Sequence, residues 1–300
     1  MIPAQDDTLL SENSASFAQN TFLDSGALQG LKAPKSIHTL GSGKKYAFRV
    51  PLGSPDKNHI SNSYWLEFDD PDTNVLQSPV ANDAYERFYF ASPTAAPQYN
   101  TKARITAGSS AYLLGIPTPA TAPSVSPTGG VSGTTEIRAY VYTWVSAYGE
   151  EGPPSPPAVK QGAQADSWTV QCYSPTTDQA LNRNITGIRI YRSVTSSQGI
   201  ATYFFVTELT LPTTQYIDSI SDEIVTANNQ LSTTGYTPPP TDLKGMIMMP
   251  NGMIAGFTDK EIYFCEPYLP HAWPVAYAID RKSTRLNSSH ITLTRMPSSA

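Results

Sequence analysis

The fold is decided by the stretch Tyr140-Val-Tyr-Thr-Trp-Val-Ser-Ala-Tyr-Gly-Glu-Glu-Gly-Pro-Pro-Ser-Pro-Pro157. Side chains alternate between the two faces of a β-strand, so Tyr140, Tyr142 and Trp144 share one face. The residues between them are also largely apolar, which predicts a strand buried on both faces. The strand must end at Gly149–Gly152, because the prolines that follow cannot pair as a central strand. A strand of this kind is typical of a β-sandwich.

Composition favours the same class of fold. The 300 residues allow about two domains. The chain has 26 Pro, 19 Gly and 17 Tyr, and only 15% of its residues are charged, which favours strands joined by turns over helical bundles. We therefore expect a mainly β protein.

The N-terminus, the lack of a long apolar stretch and the cysteines indicate the compartment in which the protein folds. The start, Met1–Asp7, lacks the basic region and apolar run of a secretory signal, and no apolar stretch reaches the 18 residues of a membrane span. Cys172 and Cys265 lie far apart in sequence, so we predict buried free thiols and not a disulfide framework or a metal pair. A reducing compartment fits best.

The last residues, 280–300, share no pattern with the chain before them and resemble a translated sequencing adapter. We expect them to be disordered and the natural protein to continue beyond Ile279. A basic, nucleic-acid-binding tail is the alternative. Removing the segment leaves 16 basic and 24 acidic residues, so the formal net charge moves from −5 to −8.

Turn-rich and proline-rich segments divide the rest of the chain into three predicted regions. Residues 1–118 are a β-rich N-terminal region, residues 119–236 a sandwich, and residues 237–279 the start of a further all-β domain. Proline-rich linkers, Ile116–Pro123 and Tyr236–Pro240, mark the boundaries.

Within these regions the pattern predicts one helix and a series of strands. The helix is Ser11–Asn20, capped by Ser11. Asp24–Gly26 is a turn signal. The predicted strands are Tyr46–Val50, Tyr64–Phe68, Arg87–Ala91, Tyr112–Gly115, Ile137–Ala147, Ser167–Cys172, Gly187–Ser193, Tyr203–Leu209, Gln215–Asp218, Met246–Met249, Met253–Phe257 and Glu261–Cys265.

The third region carries a strong hairpin signal at Asn251–Gly252. Short strands joined in a meander indicate either the first blade of a propeller or another all-β domain.

The second region resembles a fibronectin type III or related immunoglobulin-like domain. The resemblance rests on Tyr140–Pro157 and on Gly187-Ile-Arg-Ile-Tyr-Arg-Ser193. It implies a spacer or binding module and no reaction.

The chain as a whole resembles the tail tube or nozzle proteins of short-tailed bacteriophages. The motifs run in order over nearly all of residues 1–279, and their serial order carries the resemblance. They are Leu9–Ala15, Ala18–Asn20, Leu23–Leu28, Trp65–Phe68, Gln77–Asp83, Arg87–Phe90, Met249–Gly256 and Cys265–Pro274.

This resemblance implies a non-enzymatic virion protein, assembled in the host cytoplasm. Copies would form a homo-oligomeric ring next to other tail proteins such as the adaptor, and the lumen would conduct DNA at ejection without binding it specifically. A negatively charged inner wall of the lumen would repel DNA phosphates, and the negative net charge of the chain agrees with that. No cofactor or metal is implied.

Two motifs suggest ligand loops but depart from the required pattern. Leu40–Lys45 lacks two residues of a phosphate loop, because His38 stands where Gly is needed and Lys45 where Ser or Thr is needed. Asp70–Asn74 begins like a calcium loop, but Val75 replaces the required Gly and Ala81 the required Glu. We predict ordinary turns at both places.

The one segment singled out as a candidate site is the turn Gly149, Glu150, Glu151 and Gly152. Adjacent residues point apart, so the two carboxylates are poorly placed as a general acid and base. A solvated loop tip is the expectation, and contact with a partner or ligand is the alternative.

The remaining chemistry-bearing residues have structural interpretations. His38, His59 and His271 show no metal-ligand spacing, and His271–Pro274 is expected to be a packed corner. The aromatic stripe of Tyr140 to Trp144 could stack on sugars or bases, but core packing is favoured. A receptor- or carbohydrate-binding tail or surface protein that uses the fibronectin-like module is the alternative to the tail-tube interpretation. A third, a tail-spike hydrolase with its active site beyond Ile279, has no support in residues 1–279.

Overall fold

The computed structural model describes residues 21–24, 27–30, 36–52, 63–129, 134–195 and 201–280. Strands make up 45% of the described residues and helices 9%, and the strands form several antiparallel sheets. The prediction of a mainly β protein is therefore confirmed. The predicted helix Ser11–Asn20 lies outside the described residues, as do residues 281–300. Asp280, which the sequence pattern assigns to the adapter-like segment, pairs with Glu261 in the last strand.

The N-terminal region contains two hairpins and a four-stranded sheet. Asp24 pairs with Ala27 across the predicted turn, whose centre is not described. The sheet has the order β5-β6-β7-β8, and the short helix α1 (Lys102–Thr106) follows β7. The strands are β1 (Thr21–Asp24), β2 (Ala27–Gly30), β3 (Tyr46–Pro51), β4 (Ser63–Phe68), β5 (Asn74–Gln77), β6 (Arg87–Ser92), β7 (Ala95–Thr101) and β8 (Tyr112–Leu113).

The second region is a sandwich of two antiparallel sheets. One sheet has the order β11-β10-β13-β14 and the other the order β15-β12-β9. The strands are β9 (Ser124–Thr128), β10 (Thr135–Ser146), β11 (Ala158–Ala163), β12 (Ser167–Gln171), β13 (Ile185–Thr195), β14 (Ala201–Thr210) and β15 (Gln215–Asp218). The helices are α2 (Thr177–Arg183) and α3 (Asp222–Thr226).

The predicted aromatic strand is the centre of this sandwich. Tyr140, Tyr142 and Trp144 are buried in one core with Trp168 of the opposite sheet. The residues that alternate with them on β10 are buried as well, which confirms a strand covered on both faces. The stripe is therefore a packing surface.

The proline-rich exit runs along the edge of β10. Its amides at Gly152 and Ser155 donate to the carbonyls of Trp144 (3.0 Å) and Tyr142 (2.8 Å). Because the two prolines lie between these donors, they cost no hydrogen bond.

The third region is a four-stranded sheet of order β16-β17-β18-β19. The predicted Asn251–Gly252 turn joins its first two strands, and Gly252 has a φ of 79°, a conformation that favours glycine. The strands are β16 (Lys244–Met248), β17 (Ile254–Phe257), β18 (Glu261–Phe264) and β19 (Ile279–Asp280), with a 3-10 helix at Val275–Tyr277.

The first and third regions share one hydrophobic core. Tyr89 and Tyr99 of the N-terminal sheet pack in the same cluster as Met246, Ile254 and Trp273. The third region is therefore not an independent unit. Together, residues of the first and third regions form a host domain, and the sandwich is inserted between its two halves.

The residues just before the first predicted linker meet the second linker at the base of this insertion. Gly115 lies so close to Pro238 that a Cβ on Gly115 would stand 2.6 Å from the Pro238 Cα. Arg183 of α2 donates to the carbonyls of Leu114 and Gly115 at 2.8 and 2.7 Å. The Thr237 carbonyl accepts from the Trp273 amide (2.9 Å), and the Thr121 carbonyl of the first linker accepts from the Tyr142 hydroxyl (3.1 Å), so hydrogen bonds fix both linkers.

Candidate functional site at the domain junction

The Gly149–Gly152 turn lies where the sandwich meets the host domain. The prediction of a solvated loop tip is wrong, since Glu150 is only 4% exposed and Glu151 is half-buried. The sequence predicted exposed Glu side chains in this turn because acidic side chains are rarely buried unless they are paired. Both carboxylates have such pairing inside the chain.

Glu150 points into the host domain. Its Oε1 accepts from Arg87 Nη1 at 2.7 Å, and Arg87 Nε donates to Asp83 Oδ2 at 2.8 Å. The Arg87 side chain is 11% exposed, so one guanidinium is shared between two carboxylates away from solvent. Burial would raise the pKa of Asp83, but hydrogen bonds from Arg87 and the Tyr85 amide hold it below its ordinary value of 3.8.

Glu151 points the opposite way, onto the outer face of the sandwich sheet. Its Oε1 accepts from Thr143 Oγ1 and from the Tyr191 hydroxyl, both at 2.7 Å. Its Oε2 accepts from Arg189 Nη1 at 2.6 Å. The two adjacent carboxylates therefore serve two separate networks, so they do not form an acid/base pair.

The two glycines of the turn are required for different reasons. Gly149 has a φ of 76°, in the region that glycine adopts without strain. Gly152 packs against Ile116, and a Cβ there would stand 2.5 Å from the Ile116 Cγ2. The turn is therefore fitted against the first linker.

An aromatic cluster surrounds the entry to the turn. The Tyr148 ring lies 4.4 Å from Tyr85, 6.2 Å from Tyr99 and 6.5 Å from Tyr112, between ring centroids. Contacts of this kind contribute about 0.5–1.5 kcal/mol each beyond their buried area. A sandwich residue is thus embedded among rings of the host domain.

His271 closes the junction from the C-terminal half of the host domain. Its ring packs edge-on against Tyr236, with centroids 6.2 Å apart. Burial lowers the pKa of His271, and the charges of Glu150 and Glu151 oppose that shift only in part. His271 and Trp273 are both buried, and Trp273 Nε1 donates to the Pro270 carbonyl at 2.8 Å, which confirms the predicted packed corner.

The buried histidine makes stability depend on pH. In the unfolded chain, His271 is protonated below about pH 6.5, whereas in the folded chain its lowered pKa keeps it neutral at that pH. The free energy of unfolding should therefore fall as the pH drops below about 6.5. Replacing His271→Gln should reduce that loss. Urea unfolding at pH 7.5 and pH 5 would measure it for both proteins, and an equal loss in the variant would contradict the assignment.

The two suspected ligand loops are turns. In Leu40–Lys45, the Lys44 amide donates to the Gly41 carbonyl at 3.1 Å. In Asp70–Asn74, the Asp72 amide donates to Asp70 Oδ1 at 2.9 Å, which makes an Asx turn. Both predictions of ordinary turns are confirmed.

The side chains of the described residues offer no metal site. No group of three or more His, Cys, Asp or Glu side chains among them could hold an ion. Cys172 and Cys265 are buried free thiols, as predicted, and burial raises the pKa of both, to about 12 and about 11. In the part of the chain that the structure covers, no helix has the length and apolar character to cross a membrane.

Arg87 and Asp83 are the junction residues that the sequence pattern missed. Their spacing of four residues was the only local signal. The third member, Glu150, lies 63 residues further along the chain, and only the fold brings it to Arg87.

Comparison with known proteins adds no relative. No protein-family model matches the chain, and no curated protein matches its sequence significantly.

Proposed function

We propose that this chain is a non-enzymatic structural protein of a bacteriophage tail, from the tube or nozzle. It would self-assemble into a ring whose lumen passes DNA during ejection, beside other tail proteins such as the adaptor. The ordered motifs that resemble tail proteins motivate the proposal.

The observation that carries it is the buried junction between the sandwich and the host domain. A ring subunit has to keep its shape while DNA passes. Here Glu150 and Tyr148 of the sandwich are embedded in the host domain, and both linkers are held by packing. Such a junction favours a rigid building block over domains on a flexible tether.

The strand order supports the likeness of the sandwich to fibronectin type III and immunoglobulin domains. In that architecture strands C′, C, F and G lie side by side, and B pairs with E in the other sheet. Strands β11, β10, β13 and β14 follow the first order, and β9 with β12 follows the second. Trp144 on β10 stands where immunoglobulin domains bury a Trp on strand C. The departure is β15, which follows the G-like strand in sequence and pairs beside β12.

The outer face of the third sheet supplies a surface for self-association. It is apolar across all four strands. Ile247 and Ile279 are 58% and 56% exposed, Phe257, Ile262 and Phe264 are half-buried, and Ala255 is buried. The cross-strand pairs Ile247–Ala255, Ala255–Phe264, Phe257–Ile262 and Ile262–Ile279 define this face.

Contiguous apolar faces of this kind mark interaction sites on soluble proteins, and interfaces between identical copies are richer in apolar area than others. The rim carries both signs of charge in Lys244 and Asp259, which pair at 2.6 Å. A rim with both signs suits contact between identical copies, because each sign can meet the opposite one on the neighbour.

The assembly proposal is tested by the double change Ile247→Asp and Ile279→Asp. Both side chains are exposed, so the fold should persist while charges enter the apolar face. We expect the unchanged chain to form oligomers at high micromolar concentration in sedimentation velocity, and the double variant to sediment as a monomer.

The matched control is Leu181→Asp on α2, where an apolar side chain is 68% exposed outside this face. That variant should assemble like the unchanged chain. A monomeric unchanged protein, or assembly by the double variant, would refute the role of this face. Absence of the protein from purified virions would refute the tail assignment.

A further inference from the structure

A polar cleft opens on the outer face of the sandwich, beside the candidate turn. Its volume is about 510 Å³, within the range of small-molecule sites. Its lining includes Glu151, Tyr191 of β13, and Phe205 and Glu208 of β14. Glu151 is the one residue of the predicted partner-contact turn that lines this cleft.

The charges within the cleft nearly cancel. Arg189 donates through Nη1 to Glu151 at 2.6 Å and through Nε to Glu208 at 2.7 Å. One guanidinium held between two carboxylates leaves a net charge of −1 and no uncompensated cation. The cleft therefore repels anions and has no free positive group to bind a phosphate or a carboxylate.

The rim of the cleft carries polar side chains that are free to bind. Asn229, Gln230 and Ser232 are exposed, and their side chains make no hydrogen bond within the part of the chain that the structure describes. Amide groups both donate and accept, as does a hydroxyl. Such groups match a ligand that carries donors and acceptors together.

An aromatic residue, Phe205, lines the cleft beside this polar rim, and its amide donates to the Asn229 carbonyl at 2.9 Å. The Phe205 ring is half-buried and packs edge-on against Tyr191, with centroids 5.9 Å apart. The Tyr191 hydroxyl donates to Glu151, which fixes the Tyr191 ring in place. A ring beside hydrogen-bonding groups suits a ligand with one apolar and one polar face.

We propose that the cleft binds a neutral saccharide. A sugar ring presents C–H groups on one face and hydroxyls, both donors and acceptors, around its edge. The Phe205 ring would pack on the C–H face of the sugar. Asn229, Gln230 and the Glu208 carboxylate would bind its hydroxyls. Acidic sugars are disfavoured because Arg189 is already neutralised and the site carries a net negative charge.

The test presents the full chain to immobilised neutral oligosaccharides of glucose, galactose, mannose and N-acetylglucosamine, with sialylated and phosphorylated glycans as comparators. We expect binding to at least one neutral glycan. The double change Asn229→Ala and Gln230→Ala should weaken that binding about tenfold, the effect of losing one or two neutral hydrogen bonds. Both residues are exposed, so the fold should be unaffected.

The matched control is Gln161→Ala on β11, which removes an exposed amide from the same module outside the cleft. It should bind like the unchanged protein. The proposal is overturned if no neutral glycan binds, if only acidic glycans bind, or if the double variant binds as well as the control. Glycan binding is independent of ring assembly, so the Ile247→Asp, Ile279→Asp variant should retain it.

Discussion

Replacing Arg87 with methionine should lower the free energy of unfolding by about 3–5 kcal/mol, the usual cost of breaking a buried ion pair. Arg87 is the shared partner of Glu150 and Asp83, whose side chains are 4% and 6% exposed. Without the guanidinium, two carboxylates of like charge remain close together away from solvent. Methionine keeps much of the side chain's packing volume. The loss of stability therefore reflects mainly the lost positive charge.

Urea unfolding at pH 7 would measure this loss. The matched control is Lys102→Met, which removes a cation from a more exposed pair with Glu86 at 2.8 Å. A pair of that kind contributes about 0.2–1 kcal/mol. The triple variant with Asp83→Asn and Glu150→Gln should recover part of the stability. A loss at Arg87→Met no larger than at Lys102→Met would show that the junction does not depend on this cation.

The change Asp218→Ala should cost a similar 3–5 kcal/mol inside the sandwich. Asp218 and Arg192 are both fully buried, and Asp218 Oδ2 accepts from Arg192 Nη1 at 2.8 Å. The same oxygen accepts from the Tyr140 hydroxyl at 2.7 Å. Removing the carboxylate leaves Arg192 with Asp222 as its remaining charged partner, at 2.7 Å.

Near-ultraviolet circular dichroism and urea unfolding would follow this change, because the aromatic core lies beside the ion pair. Asp242→Ala, at an exposed turn, is the control and should unfold like the unchanged chain. If the Asp218 variant keeps its stability, water or a rearranged Asp222 must replace the carboxylate. In that case the Asp218–Arg192 pair does not stabilise the sandwich.

Local sequence pattern predicted the elements that depend on local physics. The alternation from Tyr140 to Trp144 and the Asn251–Gly252 turn are sufficient because period-two burial and turn geometry are set by neighbouring residues. By contrast, β9 was missed. It carries Pro127, and a proline argues against a strand except at an edge, which is where β9 lies.

The candidate turn shows where such reasoning stops. The sequence Gly149–Gly152 predicts a solvated tip. The burial of its two Glu side chains is favourable only because they form ion pairs and hydrogen bonds with residues far away in the sequence. Arg87 for Glu150, and Arg189 with Tyr191 for Glu151, come from other strands and cannot be assigned from local sequence. The shared core of Tyr89 and Trp273 was missed for the same reason, because its two halves lie on either side of the inserted sandwich.

The close approach of Gly115 to Pro238 gives the host domain the topology of a closed unit with one very large loop. A gene could exchange that loop as a cassette, since both seams of the exchange lie at one point of the junction. Such recombination would alter what the protein displays while the host core stays intact. Any incoming module would have to place its two ends side by side, supply an acid for Arg87 and fill the position that Tyr148 occupies against the host core.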